Sequence, residues 1–163
     1  TELYQLSNRV VALNKINNSE NVGQIVRICR AFGFDSLLVD ERTTSPFLRR
    51  AVRVSMGNVF YLKVRRANNF FDELNWLKQN GYKIISCEVT SNSLSIFDFY
   101  FPDKFVLVFG NEDAGISSEV LKVSDSIIEI PIERDVDSLN VAVATAITLN
   151  EVNRKQRYKN VVD

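Results

Sequence analysis

Short apolar runs alternate along this chain with segments of helical period, and that alternation restricts the fold more than any other feature. Residues 9–13, RVVAL, read as a buried strand. Residues 21–32 then place Val22, Ile25, Val26, Cys29 and Phe32 on one helical face, with Ser19 before them as a cap and Gly33 after them as a stop. The pattern repeats. Strands are expected at 36–39, 60–64, 82–89, 104–109 and 126–130, with a short one at 95–97. Helices are expected at 46–56, opened by Pro46, and at 67–79, 117–123 and 138–159. In the helix at 46–56, Phe47, Leu48, Ala51, Val52 and Ser55 form the expected inner face. Strands separated by helices run parallel and are covered on both faces. The fold class is therefore α/β: one domain, residues 1–163, with a mainly parallel sheet and helices on both faces.

Composition removes several function classes. With 45% apolar and 25% charged residues over 163 positions, the chain can bury a core without staples. Its two cysteines, Cys29 and Cys87, are too few for a disulfide framework and read as buried reduced thiols. The longest apolar runs are too short to span a bilayer, so no membrane partner is expected. Histidine is absent, which removes Ser-His-Asp triads and nearly all zinc sites. No metal is expected.

Net charge is zero, but its distribution is uneven. Residues 1–82 carry 12 Lys/Arg against 7 Asp/Glu, and residues 83–163 carry 8 against 13. Between Arg42 and Arg66 stand Arg42, Arg49, Arg50, Arg53, Lys63, Arg65 and Arg66, with no acidic residue. The stretch reads either as a solvated face or as a polyanion footprint.

Parallel sheets bind ligands on loops beyond the carboxyl ends of their strands. Three such loops are unusual. The first is Asn17-Asn18-Ser19-Glu20-Asn21-Val22-Gly23. The second is Gly110-Asn111-Glu112-Asp113-Ala114-Gly115-Ile116. The third runs from Pro131 to Asp137 and on through Ser138-Leu139-Asn140. No GxGxxG is present, and the Gly110–Gly115 spacing lacks the Lys of a phosphate loop. Taken singly, Ser138 reads as a helix cap, Asn140 as a first-turn polar residue and Arg27 as a solvated charge.

Together the loops say more. Asn21-x-Gly23-x-x-x-Arg27, Gly110-Asn111-Glu112-x-x-Gly115-Ile116, Ile130-Pro131-Ile132 and Ser138-Leu139-Asn140-Val141 resemble, in order and spacing, the three motifs of the SpoU/TrmH family of RNA methyltransferases, within the SPOUT superfamily. The resemblance spans residues 9 to 156. It implies a SPOUT α/β fold with a deep C-terminal trefoil knot, a rare exception to unknotted connectivity. It further implies S-adenosylmethionine as cofactor, a cytoplasmic homodimer, and methyl transfer to a ribose 2′-hydroxyl of tRNA or rRNA. Arg27, Ser138 and Asn140 match the family's catalytic positions, and Asn21 and Glu112 match residues that shape the site. Gly110, Asn111, Gly115, Ile130, Ile132 and Leu139 match cofactor-binding positions, with Thr90 a further candidate. Arg42, Arg49, Arg50, Arg53, Arg65 and Arg66 become candidate RNA contacts, mainly to phosphate.

The chain departs from the family pattern at several places. Arg134 stands where Gly is usual, Ile132 where Met is usual and Asp113 where Gly is common. Asn150 replaces a Tyr, and Lys15 replaces an Asn six residues before Asn21. The chain resembles the minimal form of the family, without an added N-terminal RNA-binding domain. If the last helix pairs the subunits, its Asn153-Arg154 side is expected to face outward while Val141–Ile147 packs inward. The alternatives are a wobble-ribose enzyme, an rRNA enzyme, a non-catalytic RNA-binding or assembly protein on the same fold, and a general nucleotide binder.

Overall fold

The computed structural model describes residues 1–162, with side chains through Gln156. Seven strands form one sheet: β1 (Arg9–Asn14), β2 (Ser36–Val39), β3 (Lys63–Arg66), β4 (Lys83–Cys87), β5 (Leu94–Ser95), β6 (Phe105–Gly110) and β7 (Ser126–Glu129). Their order is β3-β2-β1-β6-β4-β7-β5, and every pairing is parallel. Five helices cover it: α1 (Ser19–Ala31), α2 (Arg49–Val54), α3 (Phe70–Gln79), α4 (Ser118–Val123) and α5 (Val141–Val162).

The central strands are apolar on both sides because each side has its own helical layer. Val11 and Leu13 of β1 and Leu107 and Phe109 of β6 face α1, α2 and α5, meeting Val22, Ile25, Val26, Ala51, Leu149 and Val152. The intervening Val10, Ala12, Val106 and Val108 face α3 and α4, meeting Phe70, Leu74, Leu77 and Val120. The two-residue period of a strand thus divides one continuous apolar run between two cores. Cys29 lies fully buried in the first core, where desolvation pushes its thiol up to about 12.

Four expectations are corrected. The third strand is Lys63–Arg66, not 60–64; residues 58–61 form a 3₁₀ turn after Gly57, which sits at φ 74°. Apolar content pointed to Phe60 and Tyr61, but both are exposed, and the edge strand carries Lys63, Arg65 and Arg66 instead. Helix α2 spans only Arg49–Val54, and Phe47 and Leu48 lie outside it and exposed. Helix α5 begins at Val141, because Asn140 is its cap: the side-chain oxygen accepts from the backbone N–H groups of Ala142 and Val143 at 2.8 and 3.2 Å. Finally, Val143 and Ile147 are exposed on α5, while Asn153 turns inward and donates to the Phe32 carbonyl. That inward face is fixed by Arg9, whose guanidinium lies 3.8 Å from the Phe34 ring centroid and donates to Asn153 and Gln156.

Candidate active site

The carboxyl ends of β1, β4, β6 and β7 lie along one edge of the sheet, and the loops that leave them converge there. The loop after β6 is shaped by Asn111. Its side-chain oxygen accepts from the Asp113 and Ala114 N–H groups at 2.8 and 3.0 Å, and its carbonyl accepts from Gly115 at 2.7 Å. Gly115 adopts φ 70°, a conformation that favours glycine. Neighbouring strands then hold this loop. Asn111 Nδ2 donates to the Lys15 carbonyl at 2.9 Å, Asn14 Oδ1 accepts from Ser117, and Glu88 Oε2 accepts from the Ile116 N–H at 2.6 Å.

Lys15 itself carries strain, at φ 60° with its N–H donating to Asp40 Oδ2. Asparagine tolerates this region far better, so Lys15→Asn is expected to raise the melting temperature by roughly 1–2 °C, about 0.5 kcal/mol. Lys15→Val is expected to lower it. Thermal unfolding of the two variants checks the sign of each.

At the mouth of α5 the loops meet. Glu112 Oε1 accepts from the Val141 N–H at 2.9 Å, at the positive end of the helix dipole. Asn140 Nδ2 donates to Asn21 Oδ1 at 3.1 Å, joining the third loop to α1. Asn21, Glu112 and Asn140 are therefore assembled around one helix terminus. On one side of Glu112 lies a small polar cleft lined by Asn17, Asn18, Asn21, Asn111, Asp113 and Val141. On the other lies a mostly apolar cavity that opens to solvent.

Gly110, Asn111, Ile130, Ile132, Leu139 and Ser138 all line this cavity, together with Glu112. Thr90 and Gly115 lie outside the lining: Thr90 is engaged with Ser93, and Gly115 sits behind Glu88. Arg27 is exposed on α1, lines neither cleft, and makes no side-chain hydrogen bond among the described residues. Arg134 is exposed, lies outside the lining and does not adopt a positive φ, so the loop shape there does not require glycine.

Two lining carboxylates escaped the sequence analysis. Glu88 follows β4, and Glu129 ends β7, where its Oε1 accepts from Ser93 Oγ at 3.2 Å. With Glu112 they give the cavity three carboxylates and no Lys or Arg. Cys87 adds a thiol to the wall, raised by burial and by the adjacent Glu88 charge. Their only sequence signal was position, immediately beyond or at the end of an apolar strand.

The basic stretch divides. Arg65 grips Glu73 with two hydrogen bonds of 2.9 and 3.1 Å and also reaches Glu2 at 3.6 Å. Arg66 donates to the carbonyls of Glu41 and Thr43. Both serve the fold. Arg50 pairs with Glu20 at 3.3 Å on the surface. Arg42, Arg49 and Arg53 are exposed and have no such partner among the described residues.

A parallel α/β sheet with a cavity at its carboxyl edge, lined by the second and third motif loops, defines an α/β domain with its site beyond the strand ends. Residues 8–150 match the SpoU rRNA Methylase family, and the chain belongs to it. A protein of Mycobacterium tuberculosis (strain ATCC 25618 / H37Rv), described as an uncharacterized tRNA/rRNA methyltransferase, is 32% identical over 148 residues, covering 89% of this chain and 51% of the relative. The chain thus spans about half the length of the curated relatives it matches. An AdoMet-bound rRNA methyltransferase from Sinorhizobium meliloti superposes with a TM-score of 0.84 at 32% identity, over 92% of this chain and 57% of that one. A TrmH/SpoU tRNA modifying enzyme from A. aeolicus gives 0.84 at 27% identity, over 94% and 77%. These neighbours share the sheet and its helical layers. Among the described residues no helix is long and apolar enough to cross a membrane.

Proposed function

We propose that this chain is an S-adenosylmethionine-dependent RNA methyltransferase that acts on a ribose 2′-hydroxyl of tRNA or rRNA as a cytoplasmic homodimer. The observation that carries the reading is the cavity: apolar walls from Ile96, Phe109, Ile128, Ile130 and Val141, three carboxylates, and no cationic side chain. Such a lining fits a nucleoside with an apolar thioether-like arm and a positive charge. The AdoMet-bound state of the Sinorhizobium meliloti relative supports the same cofactor. When bound, that cofactor supplies a methyl group already activated on a sulfonium.

The chain's own residues have the remaining task, which is to present a poor nucleophile. Glu112 stands between the cavity and the polar cleft, so the cleft is the place for the ribose. Asn140 and Asn21, already joined at the helix mouth, and Ser138 at the cavity are placed to orient the ribose by hydrogen bonds. Arg27 holds the adjoining phosphate in a bidentate grip, with that phosphate or water taking the proton. Because Arg27 lines neither cleft of its own chain, we assign it to the site of the partner subunit. The exposed Val143 and Ile147 on α5, the helix packed beside α1, supply an apolar face for that pairing. Family membership further implies a deep trefoil knot.

Calorimetric titration with S-adenosylmethionine, followed by methylation of tRNA and rRNA transcripts, tests the reading. One site per chain and product dinucleotides resistant to alkali are expected. A folded dimer that binds no donor, with or without RNA, would favour the non-catalytic RNA-binding alternative. The carboxylates make a sharper prediction. Glu88→Gln and Glu129→Gln are each expected to weaken binding of the cationic donor about fivefold, about 1 kcal/mol for a partly exposed ion pair. Binding of the uncharged thioether product should change much less. Equal loss for both ligands would refute the electrostatic role.

A further inference from the structure

The described surface carries an unexplained aromatic cluster. Phe47, Phe60 and Tyr61 are 53%, 69% and 67% exposed. Their rings are not scattered: Phe47 and Phe60 pair at 6.2 Å between centroids, tilted by 48°, and the Arg30 guanidinium lies 4.7 Å from the Tyr61 centroid. Exposed apolar clusters of this kind mark binding surfaces, since a chain gains nothing by leaving large rings in water.

Charge identifies the occupant. Of the seven basic residues from Arg42 to Arg66, Arg50, Lys63, Arg65 and Arg66 are engaged within the chain, which leaves Arg42, Arg49 and Arg53. Arg49 and Arg53 stand four apart on α2, both exposed and without an ionic partner among the described residues. Two like charges at that spacing repel and destabilise a helix unless an anion bridges them. A polyanion with flat, sequence-tolerant faces satisfies both features at once, and single-stranded nucleic acid is that ligand. The platform is also held in register with the candidate active site. Helices α1 and α2 touch so closely at Gly23 that a Cβ there would lie 2.7 Å from the Ala51 carbonyl oxygen, and Arg50 pairs with Glu20, the neighbour of Asn21.

We propose that Phe47 and Phe60, flanked by Arg49 and Arg53, form a stacking platform for an unpaired nucleotide of the RNA, outside the nucleotide that is methylated. The proposal rests on the reading that the substrate is RNA. It adds that the substrate presents unstacked bases, in a loop or an end, beside the target ribose.

The test uses the intact protein and a short single-stranded RNA carrying 2-aminopurine, whose fluorescence falls when the base stacks. Quenching on binding is expected for the parent chain and not for a duplex of the same sequence. Phe47→Ala/Phe60→Ala is expected to abolish quenching and weaken binding by roughly tenfold or more. Phe60→Trp should retain both, and donor affinity should stay unchanged in every variant. Parent-level quenching in the double variant overturns the platform. So does conversion of the dimer to monomer by the double variant, which would make the rings a subunit contact. A parent protein that methylates no RNA and binds neither oligonucleotide defeats the functional reading itself, a result distinct from loss of stacking alone.

Discussion

Arg27→Lys is expected to fold, pair and bind the methyl donor like the parent chain, yet methylate RNA at least about a hundredfold more slowly. The substitution keeps the charge and most of the length. It removes the planar fork that can hold two phosphate oxygens at once. Stability should scarcely change, because the Arg27 side chain is exposed and makes no hydrogen bond among the described residues. Arginine side chains stay protonated in proteins, so a proton-abstracting role would ask for a species the protein does not supply. Full activity of the Lys variant would remove the bidentate role. A second measurement locates the residue. Chains carrying Arg27→Ala and chains carrying Asn140→Ala, each inactive alone, are expected to recover activity when mixed and allowed to exchange subunits. No recovery would confine Arg27 to the site of its own chain.

The residues of that site were unequally visible in the sequence. Strands β1 and β6 were readable because burial on both faces makes them uninterrupted apolar runs. The edge strand β3 was misplaced for the same reason inverted. Its residues are polar, and the nearby apolar Phe60 and Tyr61 belong to a surface. Asn21, Glu112 and Asn140 were found through motif resemblance, yet their joint cause is physical: each helps to satisfy or brace the terminus of α5 or α1. Glu88 and Glu129 carry no motif. Only the parallel register, which sets Cys87 opposite Ile128, brings their two loops to one cavity. Arg65 was legible as a charge but not as a spent one. Its partner Glu73 lies eight residues on, across the turn from β3 to α3, a separation with no periodic signature. Basic residues on a single stretch therefore cannot be counted as RNA contacts until the fold has claimed its share.

Gly110→Ala is expected to lower stability by about 2–3 kcal/mol, a fall of roughly 5–10 °C in melting temperature, and to abolish donor binding. The backbone conformation is not the obstacle, since Gly110 does not have a positive φ. The obstacle is the loop that folds back upon it. A Cβ at Gly110 would lie 2.6 Å from Ile116 Cγ1, 2.7 Å from the Ile116 nitrogen and 2.8 Å from the Gly115 carbonyl carbon. Two of these are backbone atoms, so no rotamer change relieves the clash and the 111–116 segment must move. Moving it withdraws Ile116 from Glu88 and Glu112 from the Val141 N–H, which opens the cavity wall and leaves that N–H at the mouth of α5 without its acceptor. Gly33→Ala is the control. Nothing lies within 4 Å of its Cβ, but φ is +77°, so it should cost about 1 kcal/mol of strain and leave donor affinity untouched. If Gly110→Ala bound the donor as tightly as the parent, the loop after β6 would not form the donor site.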